Sequence, residues 1–158
     1  MSRRPLAAFL LVAALGALTG CAGSTVSLQP AEFANDPACA DVSVLLPDAV
    51  DGQQRRWTDA QATGAWGNPA DILFTCGLEP SGPSTLRCIT FGGVDWLIDD
   101  SGDPKLYLTT YGRSPAAQVF MDNDKAEPAQ VLTDLSAAVS TLPRDAQCTD
   151  TDSFDGEQ

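Results

Sequence analysis

The 158-residue chain has no histidine. That removes a Ser-His-Asp triad, a Cys-His dyad, an imidazole metal ligand and an imidazole pH switch from its chemistry. Basic residues are scarce: 9 Lys and Arg stand against 21 Asp and Glu, for a formal charge of −12. A phosphate backbone is held by clustered Lys and Arg, so this balance argues against nucleic acid as a partner. The apolar run over 6–18 falls short of the ~20 residues a membrane-spanning helix needs. There is no C-x-x-C pair, no G-x-S-x-G elbow, no glycine-rich phosphate loop and no paired-carboxylate signature. The hydrophobic share of 44% is ordinary for a folded protein, and the length suits one domain.

The N-terminus has the three-part plan of an export signal. Arg3 and Arg4 form a charged start, the apolar run follows, and Leu18-Thr19-Gly20-Cys21 closes it. This is the pattern of a bacterial lipobox, in which the Cys21 thiol receives a diacylglyceryl group and residues 1–20 are removed. A retained anchor and an ordinary cleaved signal are the alternatives. The arginine pair also leaves a twin-arginine export route open. Cleavage takes away 20 residues, including two arginines and no acid, and leaves 138 residues with side chains at net −14. Acyl chains on Cys21 would hold the protein to the membrane, with the acidic body standing off anionic headgroups. The expected location is the outer face of the cytoplasmic membrane.

Setting Cys21 aside leaves Cys39, Cys76, Cys88 and Cys148. In an oxidising compartment an even set suggests two disulfides, with three possible pairings. The favoured pairing is Cys76–Cys88, across a local hairpin, with Cys39–Cys148 tying the start of the domain to its end. Zinc is disfavoured without histidine or C-x-x-C spacing. No metal and no cofactor is expected.

Residues 21–35 read as a tether. Asp36-Pro37 is a helix start, with Ala38, Cys39, Val42, Leu45 and Leu46 at helical spacing and Pro47 as a stop. Strand-like runs follow at 70–76 and 85–91, joined by a Gly/Pro-rich link. Gly92-Gly93 makes a tight turn into 94–98 and sets Ile89 opposite Trp96. Further runs lie at 105–111 and 116–121, with a possible edge strand at 55–58. The clearest helix spans 128–142, where Val131, Leu132, Leu135, Ala138, Val139 and Leu142 share a face. The expected fold is α+β: an antiparallel meander of about 4–6 strands, packed on one face by an N-terminal and a C-terminal helix, with two disulfides. The globular domain runs over 36–148, and 149–158 is an acidic tail.

Several local patterns, in one order, carry a resemblance. They are the lipobox, Pro37-Ala38-Cys39-Ala40-Asp41-Val42, Ala65-Trp66-Gly67-Asn68-Pro69-Ala70, Cys76-Gly77, Gly93-Val94-Asp95-Trp96, Thr110-Tyr111-Gly112-Arg113-Ser114-Pro115 and Leu142-Pro143 with Cys148. Together they resemble the actinobacterial lipoprotein family catalogued as domain of unknown function 3515. The resemblance spans roughly 36–148. It implies a secreted or lipid-anchored envelope protein with paired cysteines, and it supplies no catalytic residue.

Three patterns invite a chemical reading. Asp99-Asp100-Ser101-Gly102-Asp103 is oxygen-rich, but it lacks the alternation and distal Glu of a calcium loop and reads better as a turn. Asp95 alternates with Trp96, so with Trp96 in the core it faces the other side of the sheet. Tyr111 and Arg113 stand at a later strand end, and the three form the candidate ligand site, against a plain surface ion pair. Arg55-Arg56-Trp57 suits a phosphate or carboxylate, against a charged edge that discourages aggregation. The leading expectation is a lipid-anchored, non-enzymatic envelope module that binds a protein or small ligand. The alternatives are a carboxylate-dependent enzyme on envelope glycans or peptides, and a structural module of a membrane complex.

Overall fold

The computed structural model describes residues 25–149. The expected export leader over 1–20, the expected lipidation site Cys21 and residues 150–158 of the expected tail lie outside the described residues. Among those described, no helix is long and apolar enough to cross a membrane.

Helix α1 (Pro37–Leu45) starts where a cap and a proline permit it. The Asp36 carboxylate accepts from the Ala38 N–H at 2.8 Å, which satisfies one of the unpaired donors of the first turn. Cys39, Val42 and Leu46 are buried, while Val44 and Leu45 are exposed. The inward face is therefore 39, 42 and 46, narrower than the expected one. Helix α2 (Pro128–Val139) buries Val131, Leu132, Leu135, Ala138 and Val139. Leu142, just beyond it, joins the same core.

Eight strands form one antiparallel sheet, two more than the top of the expected range. They are β1 (Ala49–Val50), β2 (Gln53–Arg56), β3 (Thr63–Trp66), β4 (Ile72–Leu78), β5 (Arg87–Phe91), β6 (Val94–Gly102), β7 (Lys105–Thr110) and β8 (Ala116–Asp122). Their order is β1-β2-β3-β4-β8-β7-β6-β5. The expected pair Ile89 and Trp96 lie opposite each other in β5 and β6. Strand β6 runs to Gly102, through residues expected to turn, because its ladder with β7 continues past a bulge to Gly102 opposite Lys105.

The 70–76 and 85–91 runs do not form a hairpin. β4 pairs with β3 and β8, and β5 pairs with β6 alone. Residues 79–86 carry the chain from the middle of the sheet to its far edge. Three strands therefore lie between Cys76 and Cys88, and the favoured pairing is wrong. The bridges are Cys39–Cys76, tying α1 to β4, and Cys88–Cys148, tying the chain end to the β5 edge. They close loops of 37 and 60 residues, each stabilising by about 4 kcal/mol in the chain-entropy account.

The core lies between one face of the sheet and the two helices. Trp66, Ile72, Phe74, Trp96, Leu108 and Met121 meet Val42, Leu132 and Leu135 there. The buried Trp66 Nε1 donates to the Pro47 carbonyl at 3.0 Å. Part of the expected tether is in fact docked. The Val26 N–H donates to the Trp57 carbonyl, and the Phe33 N–H donates to that of Gly77. Gly77 has φ +104, and a Cβ there would stand 2.5 Å from the Ala34 nitrogen, so glycine admits this segment. At the far end of the sheet, Lys105 pairs with Asp122 across β7 and β8.

Non-reducing peptide mapping is expected to return Cys39–Cys76 and Cys88–Cys148 peptides. Joint alanine replacement of Cys39 and Cys76 should cost on the order of 4 kcal/mol in denaturant unfolding. The Lys105 ammonium holds the Asp122 carboxyl below the usual range. The Leu28 N–H and the Ser27 hydroxyl do the same for Asp59. A depressed folded-state pKa gives stability that is present above the unfolded value of about 3.9 and lost as pH falls through the folded one. Thermal melts should therefore weaken below about pH 4, and K105Q should make that acid limb shallower.

Candidate functional site

The face of the sheet opposite the helices is partly covered, and the cover comes from the C-terminal segment. Residues 143–148 cross over the ends of β6 and β7 as a strap. The Ser114 N–H donates to the Pro143 carbonyl, and the Asp145 N–H donates to that of Gly112 at 2.8 Å. Arg113 and Arg144 form an antiparallel bridge, and Ser81 flanks Tyr111 from the other side. The strap ends at Cys148, fixed to Cys88.

Asp95 and Arg113, two of the three candidate ligand residues, serve this strap. Asp95 is 8% exposed. Its carboxylate accepts from the Thr90 hydroxyl at 2.6 Å and from the Cys148 N–H at 3.0 Å. It faces away from Trp96 as alternation required, but into the strap. Arg113 is also buried. Its Nη1 donates to the Ser140 and Leu142 carbonyls, and its Nη2 donates to that of Gly93. Its Nε has no partner among the described residues. Burial draws its pKa below the ordinary value, Arg144 adds to that, and the Asp95 charge opposes both. One carboxylate and one guanidinium thus stitch the exit of α2 and the strap to the sheet.

Gly112 makes the approach possible. It has φ +65, and a Cβ would come within 2.1 Å of the Ala146 carbonyl oxygen. Any side chain there is strained and also collides with the strap.

Tyr111, the third candidate, lies elsewhere in function. It lines a groove of about 340 Å³ beside the Cys88–Cys148 bridge, with Arg87, Leu86, Ser84, Leu97, Gln147 and Thr149. Cys88 and Leu97 face each other across β5 and β6 and form its floor. The strap end gives one wall, and the link between β4 and β5 gives another. Leu86 is 42% exposed. The Arg87 guanidinium and the Tyr111 hydroxyl have no protein partner among the described residues. Arg87 has no motif around it, and sequence reasoning missed it. Its only signal is a lone arginine beside a cysteine.

The Arg55-Arg56-Trp57 run borders a second groove, of about 400 Å³, with Asp48, Thr58 and Thr63. Between them the two grooves present one carboxylate, Asp48. Asp99 to Gly102 form the irregular end of β6, in which the Ser101 N–H donates to the Asp99 carboxylate and Ser101 lowers its pKa. Among the described residues no three His, Cys, Asp or Glu side chains are grouped to hold a metal ion.

A family model described as "Protein of unknown function (DUF3515)" matches residues 5–147. No curated protein and no solved structure matches the chain.

Gly112→Ala is expected to lower stability by at least about 1–2 kcal/mol from backbone conformation alone. Asp95→Ala, which leaves the Cys148 N–H and the Thr90 hydroxyl unpaired, should cost about 1–3 kcal/mol. Hydrogen exchange should show both losses concentrated in residues 143–148.

Proposed function

The chain belongs to the DUF3515 family, and from that premise we propose that it is a lipid-anchored binding module of the cell envelope, with the groove beside Cys88–Cys148 as its ligand site. The observation that carries the binding reading is the unpartnered pair of polar tips in that groove. Arg87 and Tyr111 line one concave surface and have no protein partner among the described residues. A guanidinium takes a carboxylate or phosphate through parallel N–H bonds. A phenol accepts or donates a further bond. Leu86 and Leu97 supply apolar contact beside them. The ligand class this suits is a small molecule or peptide end carrying one anionic group and a short apolar stretch.

The anchor half of the proposal rests on Arg3, Arg4, the apolar run and Cys21 in export order. An acylated Cys21 would keep the domain on the outer face of the cytoplasmic membrane, where its partner would be an envelope protein or an envelope metabolite. The bridged cysteines suit such an oxidising setting. Paired acids, which a carboxylate-dependent hydrolase requires, do not stand together in either groove.

A photo-crosslinking side chain placed at Leu86 in growing cells tests the site. Adducts are expected at Leu86 well above those from the same probe at the exposed Asp100, and R87Q with Y111F should reduce them. Equal labelling at the two positions would sink the groove as the binding site. A discrete protein adduct would identify a complex partner, and a small-mass adduct would identify a metabolite.

A further inference from the structure

We propose that the groove beside Cys88–Cys148 captures a small thiol carrying a carboxylate, by exchange with that bridge. This deepens the ligand reading above and rests on it: the site is the same groove, and the ligand class narrows to an anionic thiol.

The first observation is that the two bridges stand in opposite surroundings. Cys39 and Cys76 are fully buried and belong to the core. Cys88 and Cys148 are both partly exposed, and both line the groove. An attacking thiolate must reach a bridge sulfur, so access separates an exchangeable bridge from an inert one.

The second observation is the charge around the open bridge. Arg87 precedes Cys88 and lines the same groove, with no protein partner among the described residues. It is free to take the ligand carboxylate. Its charge also favours a thiolate on the neighbouring Cys88. Beside Cys148 the sign is reversed. The Asp95 carboxylate accepts from the Cys148 N–H at 3.0 Å, and a nearby anion disfavours a thiolate. Cys88 is therefore the better leaving group.

The step follows from these placements. The ligand thiol gives its proton to water, and its thiolate attacks the Cys148 sulfur. A new S–S bond forms between the ligand and Cys148. The Cys88–Cys148 bond breaks, and Cys88 leaves with the electron pair and takes a proton from water. One disulfide replaces another, so no oxidant or reductant beyond the thiol itself is consumed.

The third observation is that the strap keeps its place when the bridge opens. The Ser114 N–H holds the Pro143 carbonyl, the Asp145 N–H is held by Gly112, and Asp95 holds the Cys148 N–H. Cys148 therefore stays beside Cys88, and closing the bridge again to release the ligand is intramolecular.

The test treats the full-length protein with β-mercaptopropionate and, in parallel, with its amide, at equal thiolate concentration. Samples are quenched in acid and mapped by mass. Opening is read as the Cys148 adduct together with the fully reduced Cys88 and Cys148 pair. The acid is expected to open this bridge about fivefold faster than the amide, the effect of one charge pair at ~4 Å in water. Arg87 is exposed, so R87Q should fold, and it should bring that ratio to about one. Raising salt from ~0.05 to ~0.5 M should shrink the ratio in the natural protein. Cys39–Cys76 should stay closed throughout. Both bridges opening at one rate, or an adduct on Cys88, overturns the assigned exchange. Equal rates for acid and amide overturn the anionic thiol as the ligand class. A bridge that resists both thiols while Leu86 still gives its photo-adducts overturns capture and leaves the groove as a binding site. Equal labelling at Leu86 and Asp100 removes that site, and the capture with it.

Discussion

The pairing of β4 with β8 is the contact on which the rest of the molecule depends. Strands β1 to β4 form one meander and β5 to β8 another, and each alone leaves an unpaired edge. Six residue pairs, from Ile72 opposite Met121 to Leu78 opposite Ala116, join them. These partners are far apart in sequence, so the pairing carries a large loop-closure cost. It returns a continuous apolar wall in which Ile72 and Phe74 continue into Met121 and Val119. Only such a wall is broad enough for both helices to cover. The buried Cys39–Cys76 bridge sits beside this seam, on the last inward position of β4. A covalent link there holds α1 over the junction of the two halves, where opening would be most damaging.

The strap is a second-order consequence of the same arrangement. Because β8 returns to the middle of the sheet, α2 must run back across it, and the chain emerges near the β6–β7 end. Asp95 and Arg113 are buried because that exit segment lies on them. Burial of a carboxylate and a guanidinium is costly unless each is given partners. Here the partners are mostly main-chain groups: the Cys148 N–H for Asp95, and three carbonyls for Arg113. The polar pair therefore specifies where the chain end lies, and apolar residues in the same places could not.

Much of this was legible in the sequence. The inward face of α2 could be read residue by residue, since Val131 to Val139 repeat with helical period and nothing competes with that pattern. The cap at Asp36, the Gly92-Gly93 turn and the Ile89–Trp96 pair are local features, and local chemistry determines them. Strand β3 was invisible. Thr63-Gly64-Ala65-Trp66 is short, mostly small and buried throughout, so it shows no alternation. The disulfides misled for a different reason. A Gly/Pro-rich link of eight residues after Cys76 has the composition of a hairpin loop, yet it serves as a crossing to the far edge, and composition does not encode direction. The site followed from that error. Tyr111 could be picked out beside Gly112 and Arg113, but Arg87 gains its neighbours only once Cys148 is known to lie on Cys88.

The strand order also sets a length. From β2 to β5 there are six strand spacings, about 29 Å along the sheet at ~4.8 Å each. The N-terminal segment enters beside the continuation of β2, and the Arg87 groove opens at β5. A hydrogen-bonded sheet backed by two helices resists bending over that span, so the molecule is a rigid bracket with the proposed anchor beside one end and the Arg87 groove at the other. Under the proposed anchoring, the N-terminal end would set the height at which the groove stands above the membrane. Lengthening the linker would blur that height, and the sheet itself would not.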